Sequence, residues 1–141
     1  MIVIDSNLVS EPLKLAPDPV AVDWLNRQKT ENLFLASVSY AELLTGAQKL
    51  PTGRRKDTLL QKIDQIVSAT FGPRILPFGH EEAIQYSLLV PRANKAGFMI
   101  SIADAQIAAI AASRSFTVAT RDTKPFIAAG IPVINPWQSA L

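Results

Sequence analysis

The chain has 141 residues, of which 48% are apolar and 18% are charged, with a net charge of +2. This length and composition are typical of one globular domain and exclude a disordered or fibrous chain. The sequence has no cysteine, which excludes disulfides and thiolate metal sites, and the single histidine, His80, gives little basis for a histidine cluster or a catalytic triad.

Neither the first residues nor the longest apolar stretch of the chain predicts targeting or membrane insertion. The first residues lack the basic segment of a signal peptide, and their apolar run is short. The longest apolar stretch, AGFMISIADAQIAAIAAS, contains Asp104 and Gln106, so we interpret it as a buried helix. We therefore expect a cytoplasmic protein with one domain over residues 1–141 and no contact with the membrane.

Apolar runs that favour strands alternate along the chain with segments of helical periodicity. The predicted strands are MIVI, LFLAS, RILPF, FTVAT and IPVINPW. The predicted helices are NLVSEPLKL, PDPVAVDWLNRQ, SYAELLTGAQKL, 54–70, 80–96 with a kink at Pro91, SIADAQIAAIAAS and KPFIAAG. This alternation predicts an α/β fold with a mostly parallel sheet of about five strands, covered by helices on both faces.

Acidic residues follow several of the predicted strands. Asp5 ends the first strand, Glu42 lies in the helix after the second, and Asp122 comes just after FTVAT. Asp104 lies in the first turn of the Ala-rich helix, and apolar neighbours of both Glu42 and Asp104 predict that these two acids are partly buried. Because ligands of open parallel sheets bind beyond the carboxyl ends of the strands, we expect these four acids to meet at one edge.

Several partly buried carboxylates at one edge would repel each other and resist ionisation. A hard divalent cation removes this conflict, and Mg²⁺ or Mn²⁺ prefers oxygen ligands. The sequence therefore predicts a site for one or two ions, with hydrogen-bonding residues behind the ligands. The predicted ligands are Asp5, Glu42, Asp104 and Asp122. Ser6 and Asn7 are expected to orient Asp5 or the hydrated ion by hydrogen bonds, and Thr120 is expected to do the same for Asp122.

Helix capping is the competing explanation for each acid. Ser39-x-x-Glu42 matches a capping box and Ser101-x-x-Asp104 resembles one, while an aspartate after a strand can cap the next helix. A chain whose acids only cap helices would be a non-catalytic domain that binds RNA or a protein. A phosphatase with an aspartate nucleophile is poorly supported, because Asn7 stands where such enzymes commonly have a second acid.

Four motifs, DSN, AELLTG, ADAQIAAIA and ATRD followed by PVINPW, occur in this order over the whole chain. They resemble the motifs of PIN-domain ribonucleases, and in particular the VapC-type toxins of the FitB-like branch. The resemblance implies a PIN-like three-layer α/β/α sandwich and metal-dependent RNA cleavage by the quartet Asp5, Glu42, Asp104 and Asp122. It also implies an antitoxin partner and a homodimer or a larger toxin–antitoxin assembly. Two departures from the family pattern are Ser6, where Thr is more frequent, and Pro91, which interrupts a helix.

The working hypothesis is hydrolysis of RNA phosphodiester bonds by water that is activated by Mg²⁺. Under this hypothesis the candidates for contact with the RNA backbone are Arg54, Arg55, Lys56 and Arg121. A solvated helix start is the favoured explanation of the first three, and Arg121 can instead pair with Asp122 or point to solvent. Trp24, Phe78 and Trp137 are assigned to packing rather than to base stacking. Glu11 is assigned to a solvated helix surface, and Glu82 is interpreted as a first-turn acid that complements a helix dipole.

Overall fold

Five short parallel strands form the central sheet, in the order β3-β2-β1-β4-β5. The computed structural model describes residues 1–138. The strands are β1 (Ile2–Ile4), β2 (Leu33–Ala36), β3 (Ile75–Leu76), β4 (Thr117–Ala119) and β5 (Val133–Ile134). Each lies inside a predicted strand, and the predicted parallel sheet of about five strands is confirmed.

Seven α-helices connect these strands within residues 1–138. They are α1 (Ser6–Ser10), α2 (Pro19–Asn26), α3 (Ser37–Gln48), α4 (Arg54–Thr70), α5 (His80–Lys95), α6 (Ile102–Arg114) and α7 (Lys124–Ala128). Two short 3-10 helices, Glu11–Leu13 and Thr30–Asn32, lie on either side of α2. The first predicted helix is thus divided, because the α-helical part ends before Pro12, whose ring fixes the backbone there.

Side chains along each strand alternate between two apolar cores, one on each face of the sheet. Val3 and Val118 lie in the core that α5, α6 and α7 complete. Ile4 and Ala119 lie in the core that is completed mainly by α1 to α4. Successive residues of a strand face opposite sides, and here both sides are buried, so each strand reads as a continuous apolar run. The predicted three-layer α/β/α arrangement is confirmed.

The Ala-rich stretch forms α6, and its residues from Ile107 to Ala111 are all buried. Its interpretation as a core helix is therefore confirmed. No helix within residues 1–138 combines the length and the apolarity that crossing a bilayer requires.

The helix α5 runs continuously through Pro91, so the proline does not end the helix, and the predicted kink stays a prediction. Pro91 has no N–H to donate to the carbonyl of Ser87, one turn earlier. Both residues are exposed, so water can satisfy that carbonyl. The proline is tolerated because it faces solvent rather than the core.

The strand order places the ends of β1 and β4 side by side at the centre of the sheet. The N–H of Asp5 donates to the carbonyl of Ala119 at 3.2 Å, and the N–H of Thr120 donates to Ile134 at 2.9 Å, so strand pairing extends to these residues. The next strand in sequence, β2, pairs with one edge of β1, whereas β4 pairs with the opposite edge, so the direction in which strands are added reverses at β1. Such a reversal opens the crevice where α/β sheets bind ligands.

Candidate active site

Asp5 stands at the junction of β1 and α1, where the backbone is still extended. Its Oδ1 accepts a hydrogen bond from the N–H of Leu8 at 3.0 Å, so Asp5 does cap α1. Its Oδ2 accepts a hydrogen bond from the hydroxyl of Thr120 at 2.6 Å. The carboxylate is buried, with 9% exposure, and is held from two distant parts of the chain.

Thr120 links the ends of β1 and β4. Besides donating to Asp5, its hydroxyl oxygen accepts a hydrogen bond from the N–H of Asp122 at 3.2 Å. The side chain is fully enclosed, so the hydroxyl has a fixed orientation. Thr120 therefore positions the carboxylate of Asp5 and the backbone of Asp122 together, whereas the sequence predicted only the second of these roles.

The pKa values of Asp5, Glu42 and Asp104 are all raised. Burial is the main cause at each residue, and at Asp5 hydrogen bonds from Thr120 and Leu8 oppose it. The charge of Asp104 raises the pKa of Asp5 and of Glu42, and the charge of Asp122 raises that of Asp104. The structure thus brings the four predicted acids within electrostatic range of one another at the carboxyl edge of the sheet.

Capping does not account for the other three acids. The helix α3 begins at Ser37, so Glu42 lies in its second turn, and the buried hydroxyl of Ser39 has no partner among the described residues. In α6 the capping group is the hydroxyl of Ser101, which accepts from the N–H of Asp104 at 3.1 Å. Asp122 precedes Thr123, the N-cap residue of α7, and does not cap that helix.

Exposure differs among the four acids. Asp104 is partly buried, as predicted, whereas Glu42 and Asp122 are exposed. The apolar neighbours of Glu42 misled the prediction, because residues adjacent in a helix point in directions about 100° apart. Leu43 faces the core while Ala41 and Glu42 face outward. The site therefore has a buried floor at Asp5 and an open rim.

The donor set fits a hard divalent cation. All four groups are carboxylates, and three of them have raised pKa values that a nearby cation would reverse. Within residues 1–138 no three Asp, Glu or His side chains converge closely enough to ligate one ion as they stand. Mg²⁺ does not require such a cage, since it usually keeps several waters and is held by one or two carboxylates beside a phosphate.

Comparison with known proteins identifies the family. The model of the PIN domain matches residues 2–131. The chain belongs to the PIN-domain family. This PIN domain is 39% identical to the VapC ribonuclease Y4jK of Sinorhizobium fredii over 99% of the chain and 100% of the relative. It is 40% identical to Toxin FitB of Neisseria gonorrhoeae over 98% of the chain and 99% of the relative.

Solved structures agree with these relatives. The structure of FitAB bound to IR36 DNA superposes with a TM-score of 0.95 and 38% identity, covering 100% of this chain and 99% of that one. The structure of FitAcB from Neisseria gonorrhoeae gives a TM-score of 0.93 and 40% identity, covering 99% of this chain and 100% of that one. The resemblance to PIN-domain toxins of the VapC type, in the FitB-like branch, is thereby confirmed.

Ser6 and Asn7 of the PIN domain line a cleft of about 340 Å³ between α1, α3 and α4, together with Glu42. The Asp5 carboxylate is held by Leu8 and Thr120 rather than by the side chains of Ser6 and Asn7, contrary to one of their two predicted roles. The other predicted role, contact with a hydrated ion, stays a prediction. Because they line the same cleft as Glu42, Ser6 and Asn7 lie beside the rim of the site.

The predicted RNA-binding cations lie in two places. Arg54 and Arg55 begin α4 and line a second cleft of about 810 Å³, while Lys56 is partly buried and does not line it. The two clefts share Leu13 and Leu59, so the basic start of α4 borders a surface that leads to Glu42. Arg121 lies elsewhere, with its guanidinium 4.5 Å from the centre of the Trp137 ring.

Glu11 is a buried residue that the sequence analysis assigned wrongly to a solvated surface. It is 2% exposed, forms an ion pair with Lys14 at 2.7 Å, and accepts a hydrogen bond from the N–H of Asp18 at 2.9 Å. These two contacts, and more weakly the charge of Arg121, lower the pKa of Glu11. The spacing of Glu11 and Lys14 was the available signal, since residues three apart meet on a helical turn.

Proposed function

We propose that this PIN domain is a Mg²⁺- or Mn²⁺-dependent endoribonuclease and the toxin of a toxin–antitoxin pair. The observation that carries the proposal is that Asp5, buried at the end of β1 and held by Thr120, lies within electrostatic range of Glu42 and Asp104, while the charge of Asp122 acts on Asp104. The names of the relatives, a VapC ribonuclease and Toxin FitB, support this class of activity.

The position of each site residue indicates its proposed role. Asp5 and Asp104 are the ligands best placed on the floor of the site, and Glu42 and Asp122 hold its rim. A divalent cation in such a site supplies an activated water and neutralises charge on the phosphate and the leaving oxygen. Thr120 keeps the Asp5 carboxylate in one orientation, so no reorganisation is needed when substrate arrives.

No side-chain nucleophile is required for this chemistry. The sequence has no cysteine, and His80, its one histidine, is the exposed first residue of α5. A water molecule is therefore the nucleophile that the proposal assigns. The basic residues Arg54, Arg55 and Arg121 are assigned to the phosphates of the RNA strand.

The biological assembly follows from the same relatives. The structures of FitAB and FitAcB are similar to this chain over its length, which supports assembly with an antitoxin protein. We extend the proposal to a homodimer or larger complex, to a single PIN domain over residues 1–141, and to the cytoplasm as its place of action.

A nuclease assay tests the proposal directly. Purified chain, without antitoxin, should cleave RNA with Mg²⁺ or Mn²⁺ and should stop when a chelator is added. Asp5→Asn and Asp104→Asn should each remove activity, while the matched control Asp23→Asn, at an exposed acid that pairs with Arg27, should not. Full cleavage by both site variants would end the metal proposal.

The non-catalytic alternative has its own readout. If the chain binds RNA but never cleaves it, and the site variants only change the melting temperature, the acids act as structural groups. For the toxin role, expression of the wild type should arrest growth and expression of Asp5→Asn should not. Equal growth of the two strains would count against that role.

A further inference from the structure

Arg121 stands beside the active site and is held there by an aromatic ring. Its neighbours in sequence are Thr120, which binds Asp5, and Asp122, which interacts with Asp104. Its guanidinium lies 4.5 Å from the centre of the Trp137 ring, within the range of a cation–π contact. A flat guanidinium stacked on a ring is oriented, because stacking restricts the rotation of a long side chain.

Trp137 is itself fixed. Its backbone N–H donates to the side-chain oxygen of Asn135 at 2.9 Å, and the preceding Pro136 is buried. The indole packs against the apolar core between the sheet and α1 to α4. The ring is thus a rigid support that comes after the last strand, β5.

The charge of Arg121 is not cancelled by the acid next to it. Within residues 1–138 no ion pair joins Arg121 to Asp122, although the two are adjacent in sequence. The N–H of Asp122 is bound to Thr120, which fixes the backbone between them. Glu11, buried and already paired with Lys14, lies near enough for the charge of Arg121 to act on it. Arg121 is exposed, so the donors at its edge remain free to bind an anion.

We propose that Trp137 is a positioning residue that holds the Arg121 guanidinium beside the acidic edge, where it binds a phosphodiester of the RNA strand next to the scissile one. This inference rests on the proposed nuclease function. It assigns Arg121 to substrate binding and Trp137 to the orientation of Arg121.

The test measures cleavage and binding of a pool of single-stranded RNA of random sequence. Arg121→Gln should raise the apparent KM by about tenfold with little change in kcat, as expected for loss of one charged hydrogen-bonded contact. It should also reduce the salt dependence of binding by about one phosphate contact. Trp137→Leu should raise KM by about two- to fivefold, and Trp137→Phe should restore part of this, since phenylalanine keeps a ring face.

Two comparisons separate positioning from general stability. Trp137→Leu should have no further effect on KM in the Arg121→Gln background, because its role passes through the arginine. Trp24→Leu, at the other tryptophan of the same core, is the matched control and should leave KM unchanged. If Trp137→Leu does not fold, Arg121→Lys decides, because lysine keeps the charge but loses the flat stacked fork.

The inference is overturned if Arg121→Gln leaves KM and salt dependence unchanged, if the Trp137 and Arg121 effects add fully, or if Arg121→Lys equals the wild type. RNA binding, measured with and without Arg121→Gln in the inactive Asp5→Asn variant, tests the role of Arg121 independently of cleavage. If the wild type never cleaves RNA, the proposed function fails, whereas normal cleavage without an effect of Arg121 sinks only this inference.

Discussion

Two buried carboxylate environments in this molecule have opposite electrostatics. At the edge of β1 and β4, burial and neighbouring acids raise the pKa of Asp5 and Asp104. At the start of α5, burial also acts to raise the pKa of Glu82, but hydrogen bonds from Gly79 and Ser113 and the charge of Arg114 outweigh it and lower that pKa. Glu82 is as buried as Asp5, with 6% exposure against 9%.

The difference lies in the partners. Glu82 accepts a hydrogen bond from the N–H of Gly79 at 2.9 Å and pairs with Arg114 at 3.4 Å, so its charge is compensated within the chain. Asp5 has hydrogen bonds but no ion pair with any cation of residues 1–138, and the charge that acts on it is that of another acid, Asp104. A compensated buried acid is a structural element, whereas uncompensated acids that gather in one place mark a site that an external cation completes.

The largest expected effect is on Asp5. Asp5→Asn keeps an oxygen that can accept the N–H of Leu8 but removes the charge, so RNA cleavage should fall by at least about 10³-fold, more than loss of a supporting residue costs. Glu82→Gln is the matched control, since it also neutralises a buried acid, and should leave kcat unchanged. Steady-state cleavage rates with Mg²⁺ measure both. Equal losses in the two variants would erase the distinction between the two environments.

Thr120 should have the next largest effect. Thr120→Val keeps the shape and removes the hydroxyl that links Asp5 to Asp122, so activity should fall by about 10- to 100-fold. Thr120→Ser should restore most of it. Thr117→Val, at the opposite end of β4 from Thr120, is the control. Wild-type kcat/KM in Thr120→Val would show that Asp5 does not depend on this support.

Glu82 should matter for stability alone. Glu82→Ala leaves the Gly79 N–H and Arg114 without their partner, which should lower the free energy of unfolding by about 1–3 kcal/mol. Glu81→Ala, at the exposed neighbouring acid, should change it by less than about 0.5 kcal/mol. Urea denaturation compares them. A loss of nuclease activity in folded Glu82→Ala would contradict a purely structural role.

The pH dependence of stability should differ in sign between the two environments, with chelator present. Asp5 has a folded-state pKa above its usual 3.8, so the folded state binds the proton more tightly and stability falls as pH rises through that range. Glu82 has a folded-state pKa below its usual 4.5, so its contribution is present above that value and is lost as pH falls.

Melting curves against pH test this directly. As the pH rises, the melting temperature of the wild type should fall relative to that of Asp5→Asn. Relative to that of Glu82→Gln, the melting temperature of the wild type should instead rise. At neutral pH, Mg²⁺ should raise the melting temperature of the wild type more than that of Asp5→Asn, because binding to the folded state stabilises it. Parallel curves for the two variants would refute the comparison.

The sequence by itself was sufficient for the layers of the fold and for the identity of the four acids. Apolar runs and helical periodicity are local patterns, and they identified all five strands, the core helix α6 and the acids that follow the strands. The capping role of Asp5 was correctly considered, because a strand end that begins a helix is visible in the residues themselves, and its role as a site residue stays a prediction.

Only the tertiary structure decided which side chains compensate one another. Thr120 reaches Asp5 across 115 positions of sequence, Glu82 meets Arg114 across the interface of α5 and α6, and Arg121 stacks on Trp137 beyond β5. These contacts depend on strand order and helix packing, which no local pattern contains. The sequence placed Glu82 correctly in the first turn of α5, but its burial and its pairing with Arg114 depend on the tertiary structure.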